Sequence, residues 1–186
     1  MQRFLYIVNP ISGKGRGRKL IPLIEKFLND NNIAYELKIS EYHLHTTEIV
    51  KQNIANFDTI ICVGGDGTLN EIVNGIPEDA FDHVNLGVLP IGTGNDFVKN
   101  IKLHKELLKN LSIFSGLISN KIRSTDVGMI DFKNSRSNKR HSHLFINAAG
   151  LGFDAQVGAL TKNNKILSGK LAYLFSVMKA MINFDM

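Results

Sequence analysis

The sequence has 186 residues and a formal net charge of +5, with 44% hydrophobic and 21% charged residues. A chain of this size buries roughly 70% of the surface its unfolded form exposes, and its ordinary composition argues against disorder. Sixteen glycines without a three-residue period and four prolines exclude collagen-like and proline-rich classes, and the single cysteine excludes a disulfide framework or a multi-cysteine zinc site.

The first apolar run, Phe4–Val8, is too short for the core of a signal peptide and shows no alternation. It reads as a strand buried on both faces, as in a parallel sheet. A glycine-rich basic loop, Asn9 to Gly17, follows it. Leu20, Leu23, Ile24, Phe27 and Leu28 then recur at helical spacing, which predicts a helix packed on the core with Pro22 in its first turn. Tyr35–Ile39 reads as a second strand. Thr46–Ile54 reads as a short helix with Ile49, Val50 and Ile54 inward, and Thr59–Val63 as a third buried strand that includes Cys62, whose setting suits a reducing cytoplasm. A helix over Thr68–Asn74 and a fourth strand over Leu86–Leu89 come next.

This alternation predicts a parallel sheet with helices on both faces, whose ligands bind outside the carboxyl ends of the strands. Three glycine-bearing loops, 9–17, 64–67 and 92–94, follow strands directly and so belong on that one edge. Leu107, Leu108, Leu111 and Phe114 predict a further helix stopped by Gly116. After that the texture changes. Ile122–Phe132 and His143–Ala149 read as strands joined by a polar basic connection, Lys133–Ser142, and Leu171–Ile182 as a helix covering a core. The fold class expected is α/β: a Rossmann-like nucleotide-binding domain over 1–122, then over 123–186 the start of a β-rich, sandwich-like second domain.

The loops fail the familiar phosphate patterns. No GxxxxGK[ST] or GxGxxG fits at Gly13 or Gly92. What remains is Gly64-Gly-Asp-Gly-Thr-Leu-Asn-Glu71. Its glycines let a backbone approach a polyphosphate, Asp66 suits a magnesium shell or a nucleotide hydroxyl, and the following helix offers N–H groups to phosphate. Thr68 and Glu71 also fit a capping box, which explains both without a ligand. The histidine pairs 43/45 and 141/143 have no cysteine or acidic cluster beside them and read as solvated rather than metal-binding.

This glycine-aspartate segment resembles the signature of the diacylglycerol kinase catalytic domain of bacterial lipid kinases, a family within the NAD kinase-like superfamily. Asn9-Pro-Ile-Ser-Gly13, Pro90-Ile-Gly-Thr-Gly-Asn-Asp-Phe97 and Asn147-Ala-Ala-Gly-Leu-Gly-Phe-Asp-Ala155 agree in order and spacing. The resemblance implies ATP as donor with Mg²⁺, and transfer of the γ-phosphate to the hydroxyl of diacylglycerol or a similar lipid. Asn9, Pro10, Ile11, Ser12 and Gly13 would line the nucleotide, with Ser40 beside them. Gly64, Gly65, Asp66, Gly67, Thr68, Leu69, Asn70 and Glu71 would hold the phosphates, with Asp66 organising the metal. Thr93, Asn95 and Asp96 would close the far wall, and Asp126 would sit near the acceptor hydroxyl. Lys14, Arg16, Arg18 and Lys19 fit an electrostatic collar or a solvated loop.

The family's general base lies in an Asp-Gly-Glu-like segment, which does not occur here. The expectation is therefore a fragment whose base lies beyond Met186. The partners expected are a nucleotide and a lipid at a membrane surface, with no nucleic acid; an oligomer is compatible. No apolar stretch is long enough for a membrane span, so the reading is a cytoplasmic protein working at the inner membrane face. An NAD kinase and a non-catalytic nucleotide-binding module stand as alternatives.

Overall fold

Four parallel strands, β1 (Phe4–Val8), β2 (Tyr35–Ile39), β3 (Thr59–Gly64) and β4 (Asn85–Pro90), form a sheet in the order β2-β1-β3-β4 in the computed structural model. It describes residues 2–100, 122–133, 138–163 and 170–183. The helix expected around Leu107–Phe114 and part of the 133–142 connection lie outside those residues.

Every residue of β1 and β3 is buried, as their unbroken apolar runs require. Each large aliphatic chain so buried stabilises the fold by about 1.5–3 kcal/mol relative to an exposed one. Phe4, Tyr6, Val8, Ile61, Val63 and Leu89 face one layer, with Ile24 and Leu28 of α1 (Ser12–Asp30). Leu5, Ile7, Ile60, Cys62 and Val88 face the other. There they meet Ile49 and Val50 of α2 (His45–Asn53) and Leu69 and Ile72 of α3 (Asp66–Val73). Helices therefore cover both faces. The strand order turns back at β1, which pairs with β2 on one side and β3 on the other, so the crevice of the sheet opens above β1 and β3.

Two expectations about α1 are corrected. Its first residues are not regular helix: Gly13, Lys14 and Gly15 all have left-handed backbone (φ 61°, 60° and 85°). The regular part begins at Arg16, so Pro22 lies inside the helix rather than in its first turn, on an exposed side where its missing N–H faces solvent. Leu23 is 49% exposed; the inward face is Gly17, Ile24 and Leu28, flanked by Leu20, Ile21 and Phe27.

After α4 (Asp96–Asn100), the antiparallel hairpin of β5 (Gly128–Lys133) and β6 (Arg140–Phe145) is shorter than the two strands expected. Residues 122–127 and 146–149 are irregular. Two compact units divide the chain, Met1–Asn147 and Ala148–Met186. In the second, α5 (Phe153–Asn163) and α6 (Lys170–Asn183) pack together. α6 does not have the core-covering face expected of it. The small residues Ser176 and Ala180 are buried, while Tyr173, Leu174, Phe175, Met178, Met181 and Ile182 are exposed. An apolar circumference does not say which face packs. Among the described residues no helix is long and apolar enough to cross a membrane.

Candidate functional site

The three glycine-bearing loops meet at the carboxyl ends of β1, β3 and β4. β1 runs into Asn9, whose N–H donates to the Val63 carbonyl (3.0 Å). The Asn9 side chain accepts from the Ile11 N–H (3.2 Å) and donates to Thr68 Oγ1 (3.0 Å), tying the first loop to the start of α3. Ser12 donates its N–H back to the Asn9 carbonyl (3.2 Å), so the Pro10–Ser12 turn is closed on itself with Ile11 78% exposed. At Gly13 the left-handed backbone sits so close to β4 that a Cβ would lie 2.0 Å from the Ile91 oxygen. Arg16 completes that junction. Its Nη2 donates to the Ile91 carbonyl (3.0 Å) and its Nε to the Gly13 carbonyl (3.2 Å). Arg16 thus clamps two loops together, while Lys14 in the loop and Arg18 and Lys19 on the first regular turn of α1 are exposed cations. Ser40, buried at the end of β2, donates its N–H to the Val8 carbonyl (2.9 Å) and so stands beside Asn9.

The turn after β3 has a different local structure from the one expected. α3 begins at Asp66, with Gly65 before it and no side-chain cap, so the Thr68/Glu71 capping box does not form. Both residues have other partners. Thr68 is buried and accepts from Asn9, and Glu71 Oε1 lies 3.2 Å from His43 Nδ1. Two of the glycines are explained by packing. A Cβ on Gly64 would meet the Thr68 side chain at 2.5 Å, and one on Gly65 would meet the Gly92 Cα at 3.0 Å, where the second and third loops cross backbone to backbone. Gly67 is otherwise. It is exposed and a Cβ there would meet nothing within 4 Å. Leu69 is a core side chain, 1% exposed, so that position can offer a ligand only its backbone.

Asp66 stands at the mouth of this cradle. Its Oδ1 accepts from the Phe97 N–H (3.2 Å) and from Asn147 Nδ2 (3.3 Å), which orients the carboxyl group and leaves Oδ2 beside Gly94. Among the described residues no group of three or more His, Cys, Asp or Glu could hold a metal by itself. One oriented carboxylate fits a magnesium ion that keeps its waters and takes its other oxygens from phosphates. The charge of Asp66 reaches inward as well: burial first, and then this carboxylate, push the Cys62 thiol up. On the far wall Asn95, itself left-handed (φ 55°), donates to the Gly92 carbonyl (2.9 Å). Thr93 is exposed, and Asp96 pairs with Lys99 (2.7 Å). Asp126 is exposed in the segment before β5, and no hydrogen bond ties it to a described residue of the cradle.

Residues from the hairpin side reach the cradle that the sequence reading gave no role. Asn70 Nδ2 lies 3.1 Å from His143 Nε2. Asn74 donates to the Leu144 carbonyl and accepts from its N–H, both at 2.9 Å, as a neighbouring strand would. Asn147 was visible as the first residue of a motif; nothing local marked Asn74, whose partner is 70 residues away. The histidines expected to be merely solvated have specific contacts too. His45 stacks on Tyr42 (ring centroids 4.3 Å apart, planes 3° from parallel), and His141 stacks on Phe132.

Comparison with known proteins points to a family. A family model described as the diacylglycerol kinase catalytic domain matches residues 3–130. The chain is 31% identical over 177 residues to a diacylglycerol kinase of Staphylococcus saprophyticus, covering 92% of this chain and 52% of that protein. It is 35% identical over 136 residues to sphingosine kinase 1 of Arabidopsis thaliana, covering 69% of this chain and 28% of that one. The crystal structure of a diacylglycerol kinase from Bacillus anthracis superposes with a TM-score of 0.53 at 23% identity, over 70% of this chain and 46% of that chain, a likeness of fold. The chain spans about half the length of the diacylglycerol kinases it matches.

Proposed function

This chain belongs to the diacylglycerol kinase catalytic domain family, and from that premise we propose that it forms the ATP-binding part of a lipid kinase. The acceptor in this reading is the free hydroxyl of diacylglycerol or a similar lipid at a membrane surface. The observation that carries the reading is the meeting of three loops on one sheet edge, with Gly67 open to solvent beside the single oriented carboxylate of Asp66.

The reaction is in-line phosphoryl transfer: the lipid oxygen bonds to the γ-phosphorus, the bond to the bridging oxygen breaks, ADP leaves and the hydroxyl proton passes to a base. Most of the catalysis in such a step is positioning and charge neutralisation. The backbone of Gly65–Thr68 at the head of α3 meets the phosphates, where N–H groups and the helix dipole favour negative charge. Lys14 from the first loop and Arg18 and Lys19 from the start of α1 add positive charge. Asp66 Oδ2 is the protein oxygen that would help hold a magnesium ion, and such an ion would supply positive charge to offset that of the phosphates. Asn147 and the Phe97 N–H hold that carboxylate in place.

Gly67→Ala tests the cradle, because a methyl there meets no described residue outside its own helix and chain neighbours. In a helical turn it should leave stability unchanged or raise it by about 0.5–1 kcal/mol. A methyl in the path of the phosphates should nevertheless weaken Mg-ATP binding about tenfold, equivalent to about 1.4 kcal/mol. Calorimetric titration and a thermal melt measure both, and unchanged affinity sinks the cradle. The acceptor is tested by incubating labelled ATP with diacylglycerol micelles or with NAD⁺; label on NAD⁺ alone overturns the lipid reading.

A further inference from the structure

The segment between β2 and α2 carries a construction that neither the core nor the phosphate cradle uses. Tyr42 and His45 lie ring on ring, with centroids 4.3 Å apart and planes 3° from parallel. The Tyr42 hydroxyl donates to Glu48 Oε2 (2.6 Å), and His45 Nδ1 accepts the Glu41 N–H (3.1 Å), which fixes that nitrogen as the unprotonated one. The His45 N–H donates to the Tyr42 carbonyl (3.2 Å), closing a turn whose third residue, Leu44, is left-handed (φ 68°). A branched side chain in that conformation costs energy, and the four fixed contacts around it hold it there. Yet Tyr42 is 55% exposed. The turn therefore locks an aromatic ring, covers one of its faces with an imidazole, and leaves the rest in water.

Its position is bracketed on both sides. Ser40, two residues earlier, is bonded to the end of β1 beside Asn9. His43, the next residue, touches Glu71 on α3, one helical turn past Gly67. Tyr42 is thus held, within one or two chain steps of about 3.8 Å each, between the first loop and the helix of the cradle.

We propose that the open face of Tyr42 is the stacking platform for the base of the bound nucleotide, with His45 as its backing layer. This rests on the reading of the cradle as a polyphosphate site. A ring that is already immobile loses little entropy when a flat ligand settles on it, so the platform contributes affinity without reordering. Stacking uses only a π face, so the platform favours a nucleotide over a bare polyphosphate without choosing adenine over guanine.

The experiment compares Mg-ATP with inorganic triphosphate on the 186-residue chain and on Tyr42→Phe, Tyr42→Leu and Tyr42→Ala, with calorimetric titration and a melt for each. Loss of a base–aromatic stack should weaken ATP binding roughly tenfold in the Leu and Ala variants, leave triphosphate affinity unchanged and leave Tyr42→Phe near the parent. The chain has four tyrosines and no tryptophan, so its emission reports on tyrosine, and ATP should quench a component that Tyr42→Leu lacks. Equal ATP affinity in Tyr42→Leu and the parent overturns the platform, as does an equal loss for ATP and triphosphate. Should the parent bind triphosphate but gain nothing from the base, the platform fails and the cradle stands. Should the parent bind neither, the cradle fails and the platform with it.

Discussion

Tyr6 carries a hydroxyl into the layer between the sheet and α1, where the residue is 0% exposed and the oxygen has no hydrogen-bond partner among the described residues. Burial pushes this phenol up to about 12 from an ordinary 10, and it raises the Cys62 thiol as well. In both groups the fold favours the neutral form. Their contribution to stability is therefore complete below the unfolded values, and for Tyr6 it is lost as pH rises from 10 towards 12. Tyr6→Phe should melt within about 1 kcal/mol of the parent at pH 7, since it removes an unpaired buried hydroxyl. Its melting temperature should fall less steeply across pH 9–12; parallel curves for the two proteins would refute the assignment. Glycine roles were the least legible at this scale. Gly64, Gly65 and Gly67 are identical letters, but the first makes room for Thr68, the second for Gly92, and only the third is bare. What separates them is the neighbour each meets, which depends on how loops far apart in sequence cross.

The four strands of the parallel sheet were legible nearly to the residue, because unbroken apolar runs have few ways to be satisfied except between two helical layers. Helix starts were less so. Thr68 and Glu71 had capping-box spacing, yet a four-residue pattern cannot foresee that Asn9 and His43 would claim those side chains. The hairpin was legible in outline and not in attachment. Its anchor is Asn74, which offers Leu144 a donor and an acceptor at 2.9 Å each. Asn74→Leu should remove both bonds, each worth about 0.5–1.5 kcal/mol, and loosen the hairpin before the sheet. Hydrogen exchange would show this as faster exchange at the Leu144 amide with the β1 and β3 amides unchanged. Slowed or equal exchange at Leu144 would mean that something else holds the strand.

Across the first unit, the alternation of strands and helices was sufficient to place all three glycine-bearing loops on one edge. It could not say what keeps them together. Between the first and third loops that is Arg16, read from the sequence as part of an electrostatic collar or a solvated loop, which donates to the Gly13 and Ile91 carbonyls. Arg16→Gln should free the loop after β1 from the loop after β4. Stability and Mg-ATP affinity should then fall together, the first by about 1–2 kcal/mol for lost charged hydrogen bonds at a partly exposed site. Gly67→Ala should lower affinity alone. A melt and a titration on both variants distinguish the scaffold from the surface it presents, and an Arg16→Gln protein with parental values on both would place the clamp elsewhere.

α3 is only eight residues, about 12 Å long, too short to flex appreciably along its axis. Asp66 and Gly67 occupy one tip of this strut, and Asn74, just past the other, grips the hairpin. Between those ends Leu69, Ile72 and Val73 are buried and fix the strut to the core, so β5–β6 and Asp66 share one rigid mount.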